Sequence, residues 1–170
     1  MRVCGIDCGM ETTGYGVVEW DDRLPRPDLV WLAAGGIRPP RKAHLPERLA
    51  AIHSELVVLL ERWRPNVVAV EEVFYSVNAK SAIRLGHVRG VALLAAASAR
   101  IPVAEYAPLT IKSTVTGYGL AAKQQVQFMV ARLLHLAAAP EPADAADALA
   151  IAICHIHHAQ TLAIQEAHAS

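Results

Sequence analysis

Apolar positions recur along the chain with two different periods. Arg2 to Asp7, Gly14 to Trp20 and Leu29 to Ile37 read as three strands joined by a glycine-containing turn and a DDRLPRPD loop. Connections this short predict an antiparallel meander. Leu45, Leu49, Ile52, Leu56, Leu59 and Trp63 then follow at spacings of four, three, four, three and four, the stripe of an amphipathic helix with Pro46 suited to its first turn. VVAVEE, Val67 to Glu72, is apolar on both faces and so reads as a central strand parallel to its neighbour. A long helix from about Asn78 to Arg100 comes next, then a fifth strand around Val103 ended by Pro108. Helices are expected near Leu109 to Val115 and from Ala121 to Leu134. A last helix starts beyond Pro140-Glu141-Pro142 and carries Asp144 and Asp147 in its first turns. The tetrapeptide TGYG occurs at Thr13 and at Thr116 with unrelated flanks, which reads as coincidence rather than duplication.

This order gives an α/β fold with a mixed sheet, in which the first and fourth strands are parallel neighbours through a right-handed helical crossover. Asp7 and Glu71 then fall at the same end of adjacent strands, about 4.8 Å apart. Asp144 and Asp147, three residues apart, share one helix face. Each feature has a plainer reading: Asp7 as a turn former, the helical aspartates as complements to a macrodipole. Together they supply hard oxygen donors on rigid elements, the donor set of magnesium or manganese. Glu71 and Glu72 point to opposite faces of the strand, and spacing does not choose between them.

Composition narrows the classes. The chain has 170 residues, 54% of them hydrophobic, enough for the core of one domain, expected over 1–160 with a C-terminal tail, 161–170, that frays. No apolar run approaches the roughly 18 residues of a membrane span, and no signal-peptide pattern opens the chain, so a cytoplasmic protein is expected. Three cysteines, Cys4, Cys8 and Cys154, lack a disulfide-framework spacing. His155, His157 and His158 look like a metal tract but are read as a solvated helix end. The formal net charge is zero, yet between Ser76 and Arg132 the only acid is Glu105, against seven Lys and Arg. After Arg132 there are acids but no Lys or Arg. The two regions either pair internally or form a phosphate-binding face around an acidic centre.

Several blocks resemble the RuvC Holliday junction resolvases of the ribonuclease H-like fold. They are GID-x-G at Gly5, TGYG at Thr13, AVEEVF at Ala69, NAKSAIRLGHVRGVA from Asn78, IKSTVTGYGLAAKQQV from Ile111 and ADAADALAIAICH from Ala143, all in that family's order. The resemblance implies a five-stranded mixed sheet flanked by helices on both faces and a structure-selective endonuclease that resolves four-way junctions in recombination and repair. It makes Asp7, Glu71, Asp144 and Asp147 the catalytic, metal-binding acids, and so selects Glu71 over Glu72. Two magnesium ions per site, or manganese, are implied, with Lys112 and Lys123 assisting near the scissile phosphate. Phe74 is implied to contact bases. Tyr75, Asn78, Lys80, Arg84 and Arg89 join it as candidate DNA contacts, with core packing as the plainer reading of Phe74. Cys8 departs from the family's usual proline after the first aspartate.

Two symmetric nicks require two active sites, hence a homodimer. Gly86 and Gly90, four apart on the long helix, would admit a second helix closely or else pack on the chain's own sheet. The resemblance also implies a branch-migration complex, RuvA with RuvB, as partner. The rival classes are an ATP-binding actin-like domain, for which 170 residues are too few; a non-catalytic junction clamp; and a related nuclease acting on structured RNA.

Overall fold

The computed structural model describes residues 1–72 and 79–169. Three strands, β1 (Arg2–Asp7), β2 (Thr13–Asp21) and β3 (Asp28–Ile37), form the antiparallel meander. Helix α1 (Leu45–Trp63) leads to β4 (Val67–Glu71), which lies parallel to β1. Helix α2 (Ala79–Ser98) leads to β5 (Val103–Tyr106), parallel to β4, and α3 (Pro108–Thr116), α4 (Lys123–Leu133) and α5 (Ala143–Ala169) follow. The sheet order is β3-β2-β1-β4-β5. The predicted elements are thus present with ends shifted by a residue or two, and the crossover through α1 places β4 beside β1 as expected.

Alternation along β1 divides the interior into two cores. Cys4 and Ile6 face α1 and α2, packing with Ile52, Leu56, Leu60 and Val88. Val3 faces the other way, toward Leu149, Ile153 and Ile156 of α5 and Val126 and Val130 of α4. Cys4 and Cys154 therefore lie on opposite sides of the sheet and share no site. The sequence starts α1 by several means: Pro46 in its first turn and a Glu47 carboxylate that accepts the His44 N–H at 2.9 Å. Arg64 in the left-handed conformation ends it, donating its N–H to Leu60 O.

Close approach of α5 to the sheet determines where its acids sit. A side chain at Gly5 would run into the Ala148 carbonyl, and one at Gly14 into the backbone of Asp144. Without a Cβ at these positions the helix backbone lies directly on β1 and β2, and its first two turns come down at the end of β1.

Helix α5 does not stop at the histidines. It runs on to Ala169, through the segment expected to fray, with residues 161–168 exposed. The solvated-end reading of His155, His157 and His158 is corrected here, since all three are half-buried. Tyr106 Oη lies 2.9 Å from His155 Nδ1, and the Tyr106 ring is 5.2 Å from that of His158. No Gly or Pro follows His158 to end the helix, and its partners on β5 and α3 are distant in sequence.

Candidate active site

The C-terminal ends of the parallel strands converge with α3, α4 and α5 on one cleft of about 200 Å³. Asp7 ends β1 and Glu71 ends β4. Ile6 pairs with Val70, so the two acids are the next step along the same pair of strands. Alternation sends Asp7 to the α5 side with Gly5. Asp147 comes from the second turn of α5, Lys112 from α3 and Lys123 from α4, and all of these line the cleft. Its apolar wall is Ile111, Val126 and Ile151.

The electrostatics are those of crowded carboxylates. Burial, then Asp147, Glu71 and Asp144, push the Asp7 carboxyl up to about 7. Glu71 is also raised, by burial first and then by Asp147, while Lys112 opposes the shift. Lys123 Nζ sits 2.5 Å from Asp147 Oδ2, and this bond raises the ammonium. Glu71 lines the cleft and Glu72 is exposed. Asp144 does not line the cleft, but it lies one turn before Asp147 and adds to the field at Asp7 and Lys123. Among the described residues no three His, Cys, Asp or Glu already converge on one point as metal ligands. The donor set nevertheless suits a hard divalent cation: three carboxylates line the cleft with a fourth one turn away, and burial and mutual repulsion hold the Asp7 carboxyl up to about 7.

Other expected residues fall differently. Arg84 is exposed on α2. Arg89 pairs with Glu105 of β5, so the one acid of the basic stretch is spent on an internal bridge. Phe74, Tyr75 and Asn78 lie outside the described residues, as does the side chain of Lys80. Cys8 is half-buried, and burial, reinforced by Asp7, pushes its thiol up to about 12. Sequence reasoning missed Arg48. From α1 its guanidinium donates to Met10 O at 2.7 Å and pairs with Glu11 at 3.0 Å, which holds the turn that follows Asp7. No spacing signal linked it to that turn.

A mixed sheet in this order, with acids at the ends of β1 and β4 and a second pair on a helix lying across them, is the frame of a ribonuclease H-like metal-dependent nuclease. The model of the family described as crossover junction endodeoxyribonuclease RuvC matches residues 3–155. A crossover junction endodeoxyribonuclease RuvC of Acidobacterium capsulatum is 71% identical over 98% of this chain and 99% of its own. The fold is similar to that of Thermus thermophilus RuvC, with a TM-score of 0.86 at 37% identity over 95% of this chain and 96% of that one. It is also similar to T. thermophilus RuvC in complex with Holliday junction substrate, with a TM-score of 0.84 at 34% identity over 95% and 96% of the two chains. The chain belongs to the RuvC family of crossover junction endodeoxyribonucleases.

Proposed function

We propose that this chain resolves four-way DNA junctions by divalent-metal-dependent hydrolysis of a phosphodiester on each of two opposed strands. The observation that carries the reading is the meeting of Asp7, Glu71 and Asp147 with Lys112 and Lys123 in one cleft. Asp7, Glu71, Asp144 and Asp147 are the metal-holding acids, and magnesium, as two ions per site, is the cofactor we assign, with manganese as a substitute. When bound, such ions supply Lewis acidity toward the phosphate and an activated water. The chain's own residues do the rest. The acids fix the positions at which charge is placed, and rigid strand and helix ends hold them there. Lys112 and Lys123, which line the same cleft, offset negative charge that grows on the phosphate in the transition state. The apolar wall of Ile111, Val126 and Ile151 lowers the local dielectric and strengthens both effects.

The same reading assigns DNA-contact roles to Phe74, Tyr75, Asn78, Lys80 and Arg84, with Arg89 contributing only if its bridge to Glu105 opens. A homodimer supplies the second active site. Its interface is assigned to α2, where Ile83 and Leu94 are 61% and 57% exposed and the surroundings of Gly86 and Gly90 are open. One domain over 1–160 carries the activity, in the cytoplasm, alongside a branch-migration complex of the RuvA and RuvB kind. Among the described residues no helix is long and apolar enough to cross a membrane.

The test is to incubate pure protein with a mobile four-way junction, with and without magnesium, and to map the nicks. Paired symmetric nicks that need the metal are expected. Binding without nicking would make the protein a junction clamp, and a preference for structured RNA would change the substrate class.

A further inference from the structure

The segment between β3 and α1 is the most basic stretch of chain at the active-site end of the sheet outside the cleft itself. From Leu29 to Pro46 there is no acid, while Arg38, Arg41, Lys42 and His44 all fall within seven residues. Arg38, Arg41 and Lys42 are exposed, and among the described residues none of the three makes a hydrogen bond or an ion pair. The segment is nevertheless anchored. Pro39 is buried, the Ala43 N–H closes a turn on Pro40 O, and Gly36 at its base packs against Thr12 and Pro142.

Register places this loop relative to the catalytic acids. Asp7 pairs with Gly14, and Gly14 with Gly36. The loop therefore leaves the sheet at the same end as Asp7, two strand spacings away, or about 10 Å. Lys112, on the helix that follows β5, acts on Glu71 from the other side, and Lys123 stands beside Asp147. Arg38 also lines a groove of about 620 Å³ with Gln127, Glu141 and Pro142, which runs beside the start of α5. Glu141 is the only acid of that groove and is itself exposed.

We infer that the 38–44 loop is a second phosphate-binding element, in which Arg41 and Lys42, with Arg38 at the groove, hold the backbone of the DNA arm that leaves the cleft on the β3 side. A nucleic-acid strand carries one phosphate per roughly 3.4 Å of axis, so a loop about 10 Å from Asp7 meets the backbone about three phosphates from the scissile one. A strand laid along the sheet edge is then gripped on both flanks of the acids, by Lys112 on one and by this loop on the other, with Lys123 between them beside Asp147. The unpaired state of the three cations, the prolines that limit the loop's freedom, and the lack of any acid in the chain from Leu29 to Pro46 all favour a polyanionic backbone over a protein surface, which would be read by shape as well as charge. This inference rests on the junction reading above.

The test compares wild type with R41A/K42A in junction binding, followed by fluorescence anisotropy in EDTA across a salt series. The control R26A/R62A removes two exposed cations remote from the active-site end, in the β2–β3 loop and the last turn of α1. Loss of two phosphate contacts should make the slope of log K against log salt shallower by about 1.8 and weaken binding roughly tenfold or more at 0.1 M salt, with the control unchanged. The charge reversal R41E/K42E should weaken it further. If R41A/K42A keeps the wild-type slope and affinity while wild type nicks the junction, the loop assignment falls and the junction reading stands. If both double variants lose affinity alike, the effect is net charge and the assignment also falls. If wild type neither binds nor nicks the junction, both readings fall together.

Discussion

Lys123 Nζ on α4 lies 2.5 Å from Asp147 Oδ2 on α5, so an ammonium pairs with one of the carboxylates proposed to hold a cation. The same lysine feels Asp144 and Asp7. A divalent ion drawn to Asp147 must displace it, and the freed ammonium then lies on the lip that faces the phosphate. Lys123→Met should therefore bind manganese more tightly, by about fivefold or less, because the ion pair is half exposed and worth no more than about 1 kcal/mol. Cleavage should fall by about 10²–10³, the usual effect of removing one transition-state charge partner. Calorimetric titration with manganese checks the first effect. An unchanged affinity would mean that the lysine does not compete with the ion.

Asp7→Asn should abolish cleavage while preserving the fold, because Asn keeps the shape and one acceptor oxygen at the end of β1 but not the charge. Its effect on stability has a definite sign. The folded pKa is about 7 against an ordinary 3.8, so between those values the native state holds a proton that the unfolded chain has released. Stability of the metal-free wild type then declines as pH rises through this window and levels off above about 7. Asn has nothing to release. Denaturant unfolding in EDTA should show the variant more stable than wild type at pH 8 by on the order of 2–4 kcal/mol, with the gap closing toward pH 4. A gap that widened toward low pH would contradict the crowding of carboxylates described here.

What the chain reveals by reading depends on whether its signal is local. The stripe from Leu45 to Trp63 and the two-sided apolar run at Val67 are local, and both elements are where periodicity puts them. Asp7 was suspect on sight, as an acid closing an apolar strand. Glu71 is not separable from Glu72 by alternation alone; family resemblance selects it, and the fold puts Glu71 at the cleft and Glu72 in solvent. The histidines were misjudged because a solvated end was assumed where nothing terminates the helix, and because Tyr106 lies 49 positions before His155. Arg48 was invisible for the same reason, its partner Met10 being 38 residues away. In the sequence the basic loop at Arg38 is outweighed by the longer basic run after Ser76. Only the pairing of Gly14 with Gly36 shows that this loop opens beside Asp7.

The contact between Tyr106 and His155 predicts a weakness at mildly acid pH. Burial first, then His158, hold the His155 pKa below its ordinary 6.5, and His157 is lowered by the same causes. A depressed histidine contributes stability that is present above about 6.5 and is lost as pH falls, because the unfolded chain takes up the proton more readily. The groups packed around His155 and His158 are Tyr106 of β5, Thr114 of α3 and Cys154 of α5, none of which offers a negative charge to an imidazolium. Unfolding measured at pH 7.5 and 5.5 should show a loss in wild type that is smaller in His155→Gln. Tyr106→Phe should cost about 1 kcal/mol at pH 7.5, through the lost hydrogen bond. Equal pH dependence in wild type and His155→Gln would remove this histidine from the account.

Gly90→Leu separates the two readings of the small residues on α2. If Gly90 served packing within the chain, an added side chain would collide with the sheet or with α1. It does not: a Cβ built at Gly90, or at Gly86 one turn earlier, meets nothing within 4 Å. Leucine is also the better helix former, by roughly 0.5–1 kcal/mol, so the isolated subunit should hold its stability or gain slightly. Along the same helix Ile83 and Leu94 stand 61% and 57% exposed, at seven and four residues from Gly90, on one face with it. An apolar face with a backbone-deep notch is suited to a second helix crossing at close range, and α2 of another copy offers the matching surface under twofold symmetry. Leucine at 90 fills that notch. Sedimentation should then show dimer association weakened by tenfold or more, with the balance shifted toward monomer, together with a rise in singly nicked junctions over paired nicks, while thermal stability of the subunit is kept. If the variant sediments as wild type does, α2 is not where the copies meet, and Ile83 and Leu94 need another occupant.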